Sequence, residues 1–132
     1  MEGEKMAALV VESSAWIAYL KGEENSFLEM GLEAMAVQIP PLVLTELLGN
    51  AIPNKDKTVL ENFLQKIPLS PINNEHFAKA ASLKSALAAR GFSISARDAH
   101  ITQCALDQNA ILLTKDIFFL DVAKYCGVKV QV

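Results

Sequence analysis

Short apolar runs alternate along this chain with longer stretches whose apolar residues recur every three or four positions. Ala8-Leu9-Val10-Val11 and Ala110-Ile111-Leu112-Leu113 are apolar at every position. Runs so short and so uniformly apolar read as strands buried on both faces, as in a parallel sheet. Ala36 to Ile39 reads as another strand, and Val128 to Val132, which alternates valine with polar residues, as a terminal one. Ile67 to Ile72 holds Pro68 and Pro71, so any strand there is short and near an edge.

The intervening stretches have the ends that helices need. Ser13 and Ser14 offer caps to a helix over Ala15 to Leu20, which Gly22 stops. Asn25 or Ser26 opens a second helix to about Met35. Pro41 suits the first turn of a third, which carries Val43, Leu44, Leu47 and Leu48 and ends at Gly49. Asn54 is placed to cap a fourth, to about Lys66. Asn73 or Asn74 opens a long helix to Arg90, with an apolar stripe of Phe77, Ala80, Leu83 and Leu87, terminated by Gly91. Ser95 starts the next, to about Gln108, and Ile117 to Tyr125 forms the last, closed by Gly127.

Alternating strands and helices predict an α/β fold, with a parallel sheet of about four to five strands flanked by helices. Such sheets place their chemistry beyond the carboxyl ends of the strands. Glu12 directly follows the first strand, and Thr114-Lys115-Asp116 follows Ala110 to Leu113. The chain shows no repeat, low-complexity tract or linker, so residues 1–132 read as a single domain with a flexible segment at 1–7.

Composition narrows the class. Hydrophobic residues make up 52% of the 132 residues, which excludes a disordered or fibrous chain. A net charge of −3 gives no sign of the broad basic face that binds nucleic acid by counterion release; for a nucleic-acid partner, attraction would have to come locally, from a few cations and a metal. The two cysteines, Cys104 and Cys126, fall in helical segments as expected half-buried thiols. With two widely spaced histidines they do not suggest zinc. The six-residue apolar run Met6 to Val11 is too short for a signal peptide or a membrane span, so a cytoplasmic protein is expected.

Four acids carry the chemical argument: Glu12, Glu46, Asp98 and Asp116. Each also has an ordinary role. Ser95-Ala96-Arg97-Asp98 fits a capping box, Asp116 suits a helix cap, Glu46 a solvated helix face, and Glu12 a loop beside a helix start. A helical wheel sets Asp98 between Ala105 and Thr102, on the face expected to point inward, with His100, Gln103 and Asp107 opposite. Glu46 falls between Leu42 and Val43 on its own wheel. A carboxylate turned toward apolar neighbours needs a cation or donors to be tolerated. Converging carboxylates without His or Cys suit a hard ion, Mg²⁺ or Mn²⁺, which can neutralise a phosphodiester and activate water. Trp16 reads as core packing. His76 and His100 read as solvated or satisfied helix residues. Lys21, Arg97 and Lys115 lie near strand ends, within reach of phosphates or as ordinary surface charges.

The segments Leu9-Val10-Val11-Glu12-Ser13-Ser14, Val43-Leu44-Thr45-Glu46-Leu47-Leu48, Ala96-Arg97-Asp98-Ala99 and Leu112-Leu113-Thr114-Lys115-Asp116, in this order, resemble the PIN domain, particularly VapC-type toxins of toxin–antitoxin pairs. The likeness runs from about Leu9 to Val132. It implies a Rossmann-like PIN fold and a metal-dependent endoribonuclease acting on RNA with Mg²⁺ or Mn²⁺. It further implies a catalytic and metal-holding set of Glu12, Glu46, Asp98 and Asp116, supported by Ser14 and Thr114. A homodimer and a small antitoxin partner are also implied. Two departures stand out: the family's first acid is usually Asp, where this chain has Glu12, and Phe118 stands where many relatives have a further Asp. A PIN protein that binds RNA or a protein without cleaving is the alternative. A receiver-like phosphoacceptor domain is disfavoured, since Glu12-Ser13 lacks the adjacent acid pair such domains carry.

Overall fold

The structure, a computed structural model, describes residues 6–51 and 54–132. Of the expected flexible segment 1–7, residues 1–5 lie outside the described residues, and Met6 and Ala7 have no regular structure. Four parallel strands form one sheet: β1 (Leu9–Val11), β2 (Val37–Gln38), β3 (Ile111–Leu113) and β4 (Lys129–Gln131), in the order β2-β1-β3-β4. In register, Leu9 faces both Val37 and Ile111, and Ile111 faces Lys129. The expected edge strand over Ile67 to Ile72 reduces to a single bridge, Ile39 to Leu69, because Pro68 and Pro71 supply no N–H to extend a ladder.

Seven helices flank the sheet: α1 (Ser13–Leu20), α2 (Ser26–Glu33), α3 (Pro41–Glu46), α4 (Lys57–Gln65), α5 (His76–Ala89), α6 (Ala96–Asp107) and α7 (Phe118–Cys126). The central strands β1 and β3 supply the apolar floor: Leu9, Val10, Val11, Leu112 and Leu113 are buried. Trp16 is fully buried with them, as core packing requires. Gly31 lets α2 press against the sheet. A Cβ there would collide with the Leu9 side chain and stand 3.0 Å from Val37 Cγ2.

Several local expectations need correction. Ser13 and Ser14 lie inside α1, and the cap is Glu12, whose carboxylate accepts from Ser14 N at 3.1 Å. Gly49 does not end the third helix. The α-helix ends at Glu46 and the chain passes through Gly49 in a π-helical turn, Leu47–Ala51. The cap expected of the Asn54 side chain lies outside the described residues. A 3₁₀ turn, Asn54–Asp56, leads into α4. Phe77 is 59% exposed, so the inward stripe of α5 begins one residue earlier: His76, Ala80 and Leu87 are buried and Leu83 is half-buried.

The helical wheel misjudged α6 as one-sided. Ala99 through Ala105 are all buried, His100 and Gln103 included, because the helix lies between the sheet and α5. Cys104 is accordingly buried outright and not half-buried, while Cys126 is half-buried as expected.

Candidate active site

The chain leaves β1 at Val11 and turns at once into α1, so Glu12 stands at the carboxyl end of a central strand. Its N–H donates to Leu113 O at 2.8 Å, which ties it to the end of β3. The residue is 4% exposed. Its carboxylate is met by four donors. Ser14 Oγ and Thr114 Oγ1, the latter at 2.6 Å, both donate to Oε1. Ser14 N donates to Oε2 at 3.1 Å, and Arg97 to the same oxygen at 3.2 Å. The Glu12 carboxylate curls back and caps its own helix, a role more often filled by Asp. A carboxylate has about four lone-pair positions, so Glu12 is fully hydrogen-bonded.

Thr114 links β3 to this acid. While donating to Glu12, Thr114 Oγ1 accepts from Asp116 N at 3.0 Å. Ser14 Oγ accepts from Lys115 N at 2.9 Å. Asp116 therefore sits one hydrogen-bonded residue from the Glu12 centre, and its own Oδ1 accepts from Phe118 N at the start of α7, 3.0 Å away.

Asp98 lies in the first turn of α6, where Ser95 Oγ accepts its N–H at 3.0 Å. That is the backbone half of the expected capping box. Burial pushes the Asp98 carboxyl above the usual carboxylate range, only partly offset by the Arg97 guanidinium and the Ser95 hydroxyl. Glu46, at the end of α3, is not turned into an apolar wall as its wheel suggested. Its side chain is 42% exposed, at the mouth of the site, because Leu42 beside it also faces outward. Ser13 Oγ donates to Glu46 Oε1 at 2.6 Å, which joins α1 to α3.

One side chain draws these acids together. Arg97 donates through Nε and one terminal nitrogen to Glu46 Oε1, at 3.1 and 2.9 Å. The same terminal nitrogen reaches Glu12 Oε2 and Ser13 Oγ, and the other reaches Asp98 Oδ1 at 2.8 Å. Burial works against its charge, but the hydrogen bonds and charges of Glu46 and Glu12 outweigh that and push its pKa up. Glu12, Glu46 and Asp98, from three separate stretches, thus meet around a single cation; Asp116 is tied to them only by its backbone N–H on Thr114, and its carboxylate accepts from Phe118 N.

The chemistry of the donor set suits a divalent ion. It is all oxygen, as Mg²⁺ and Mn²⁺ prefer, and it already gathers around positive charge.

The sequence matches the PIN domain family over residues 9–125. This chain belongs to that family. No curated protein matches it. Solved PIN-fold structures share its architecture at low identity. Crystal structures of DNA-bound VapBC from Salmonella typhimurium (TM-score 0.77, 16% identity, 96% of this chain and 98% of that one), of FitAcB from Neisseria gonorrhoeae (0.70, 20%, 94% and 96%) and of VapBC-5 from Mycobacterium tuberculosis (0.67, 20%, 95% and 98%) all superpose over nearly the full length. The PIN fold expected from the four motif segments is therefore the fold observed.

Arg97 is the residue whose part in this PIN site the sequence reading did not see. Its signal was present, a cation adjacent to Asp98, but a single charge at a helix start also reads as surface. Lys115, the other candidate cation on the β3 loop, pairs with Glu23 instead.

A second cluster lies away from the acids. Among the described residues, one trio of His, Cys, Asp or Glu brings ligand-type atoms within 4.8 Å of one another: His76, His100 and Cys104. Their spacing in sequence gave no sign of this, since α5 carries the first across to α6. One tautomer assignment satisfies every bond. His76 Nδ1–H donates to Asp107 Oδ2 at 3.2 Å, and His100 Nδ1–H donates to His76 Nε2 at 2.7 Å. His100 Nε2 then accepts from Leu42 N at 3.5 Å and faces the Cys104 thiol at 4.0 Å. Burial pushes the Cys104 thiol up to about 12, and burial together with His76 lowers His100 to about 4. A metal would have to break the His–His bond and ionise that thiol, so the trio reads as a hydrogen-bonded core network.

Proposed function

We propose that this PIN protein is a metal-dependent endoribonuclease, the toxin of a toxin–antitoxin pair. One observation carries the reading: Glu12 just past β1, Glu46 of α3 and Asp98 of α6 converge on a single cation beyond the carboxyl ends of the central strands. Glu12, Glu46, Asp98 and Asp116 would hold Mg²⁺ or Mn²⁺. When bound, the ion supplies charge neutralisation at the phosphate and a water of lowered pKa. Glu12 is the fixed member, held by Ser14 and Thr114. Glu46, half-exposed at the mouth, would bind the ion or orient the attacking water. Asp98, anchored by the first turn of α6, keeps the opposite wall in place. RNA is the substrate and a small antitoxin the partner, in keeping with the VapBC and FitAcB structures that share the fold. A homodimer and a cytoplasmic location belong to the same reading. No helix of the described residues is long and apolar enough to cross a membrane.

Asp98→Asn should abolish RNA cleavage in Mg²⁺ or Mn²⁺ while circular dichroism and the melting temperature stay close to those of the parent. Full activity in that variant refutes the assignment.

One observation favours a second reading, a PIN protein that binds without cutting. All four lone-pair positions of Glu12 are taken and Arg97 already neutralises part of the acidic charge. Melting with and without millimolar Mn²⁺ separates the two. A ligand that binds only the folded state must raise its stability, so an unchanged melting temperature supports the non-cutting reading.

A further inference from the structure

The hydrogen bonds of Glu12 divide into two kinds. Three come from the scaffold, from Ser14 N, Ser14 Oγ and Thr114 Oγ1, and the two hydroxyls are held in turn by Lys115 N and Asp116 N. The fourth comes from Arg97, a long side chain 36% exposed at the rim. The lone pair that Glu12 can offer a ligand with the fewest other bonds broken within the strand ends is therefore the one Arg97 now uses. The same guanidinium occupies Glu46 Oε1 and Asp98 Oδ1. It sits where the acids converge, and its exposed flank gives it a path outward into solvent.

We infer that Arg97 is a resident counter-ion occupying the cation seat of the acidic centre, so that a divalent metal loads by displacing its guanidinium from Glu12, Glu46 and Asp98. This rests on the metal-centre reading above and adds to it a determinant of metal affinity within the chain. A planar guanidinium spans three carboxylates, which a lysine ammonium, a compact point charge, cannot do. Arg97 therefore holds the acids in place without metal, and its removal exposes them to any cation that arrives.

The test uses the full chain. Mn²⁺ binding is measured by calorimetry for the parent, Arg97→Gln and Arg97→Lys. Arg97→Gln should bind Mn²⁺ about fivefold more tightly, as loss of a partly exposed charge pair implies, with Arg97→Lys in between. Arg97→Gln should also melt lower without metal and gain more from saturating Mn²⁺. Equal or weaker binding in Arg97→Gln, with the parent still binding, overturns displacement and leaves the metal centre standing. Binding by none of the three overturns the metal centre and displacement with it. A readout on the parent alone covers the case where the variants fold poorly. In an Mg²⁺ titration followed by NMR, the Arg97 Nε–H resonance should lose its protection from solvent exchange as the Asp98 amide shifts. An Nε–H that stays protected while the Asp98 amide saturates overturns displacement.

Discussion

Lowering the pH from 7 to 5 perturbs His100 by an amount that its surroundings define. His76 faces it from α5, Cys104 from its own helix and the Leu42 N–H from α3. Asp107 reaches His76, leaving His100 with no carboxylate of its own. A proton added to His100 Nε2 would point at a thiol and an N–H, neither of which welcomes a second donor. Burial and His76 accordingly hold its pKa at about 4, against 6.5 in the open chain. Because the folded value is the lower one, the unfolded chain takes up the proton first as pH falls below 6.5. Stability is unaffected by this group above that value and is lost progressively down to about 4. With about 1.4 kcal/mol for each tenfold change in proton affinity, the loss reaches about 2 kcal/mol at pH 5. For a chain of this length that lowers the melting temperature by roughly 6–10 °C. Urea denaturation followed by fluorescence of Trp16, the sole tryptophan, reads the loss directly. Carboxylates elsewhere titrate in the same range, so the informative quantity is the slope against pH in the parent and in His100→Gln. The parent should lose about 2 kcal/mol more than the variant between pH 7 and 5. Parallel slopes would refute the account of the His76–His100 pair.

Other outcomes follow from single contacts. Thr114→Val removes a 2.6 Å bond from buried Glu12 and should cost about 1–3 kcal/mol in urea denaturation; a change below about 0.5 kcal/mol would mean water replaces the hydroxyl. Gly31→Ala should lower the melting temperature despite alanine's better helix propensity, because its Cβ meets Leu9 and Val37; a rise would show that α2 can shift outward freely. Cys104, buried and pushed up to about 12, should resist a thiol reagent in the native protein and react on unfolding, while half-buried Cys126 reacts earlier; two equally fast thiols would contradict the burial of α6.

What could be read from the letters followed physical reach. Strands β1 and β3 were plain because a sheet buried on both faces demands unbroken apolar runs, and Glu12 and Asp116 lie just past those runs. Caps at Asn25 and Ser95 were readable because they act over three residues. Contacts spanning many residues were not readable. Nothing local to His76 announces His100, 24 positions away. Arg97 reaches Glu46 across 51 positions and Glu12 across 85, and a charge at a helix start carries no mark of where its side chain goes. A helical wheel assumes one buried face, so it misjudged α6, which has two.

The acids hang from supports of unequal stiffness. Asp98 begins α6, enclosed by sheet and helix, whose amides should exchange with solvent only when the whole molecule opens. Glu46 instead closes α3 where the chain widens into the π-helical turn Leu47–Ala51, a departure from α-helical bonding of the kind that recurs at functional sites. The expected consequence is that whatever enters between them is fitted at the α3 end, with the α6 end as the fixed jaw of a vice; slower amide exchange around Glu46 than across α6 would contradict it.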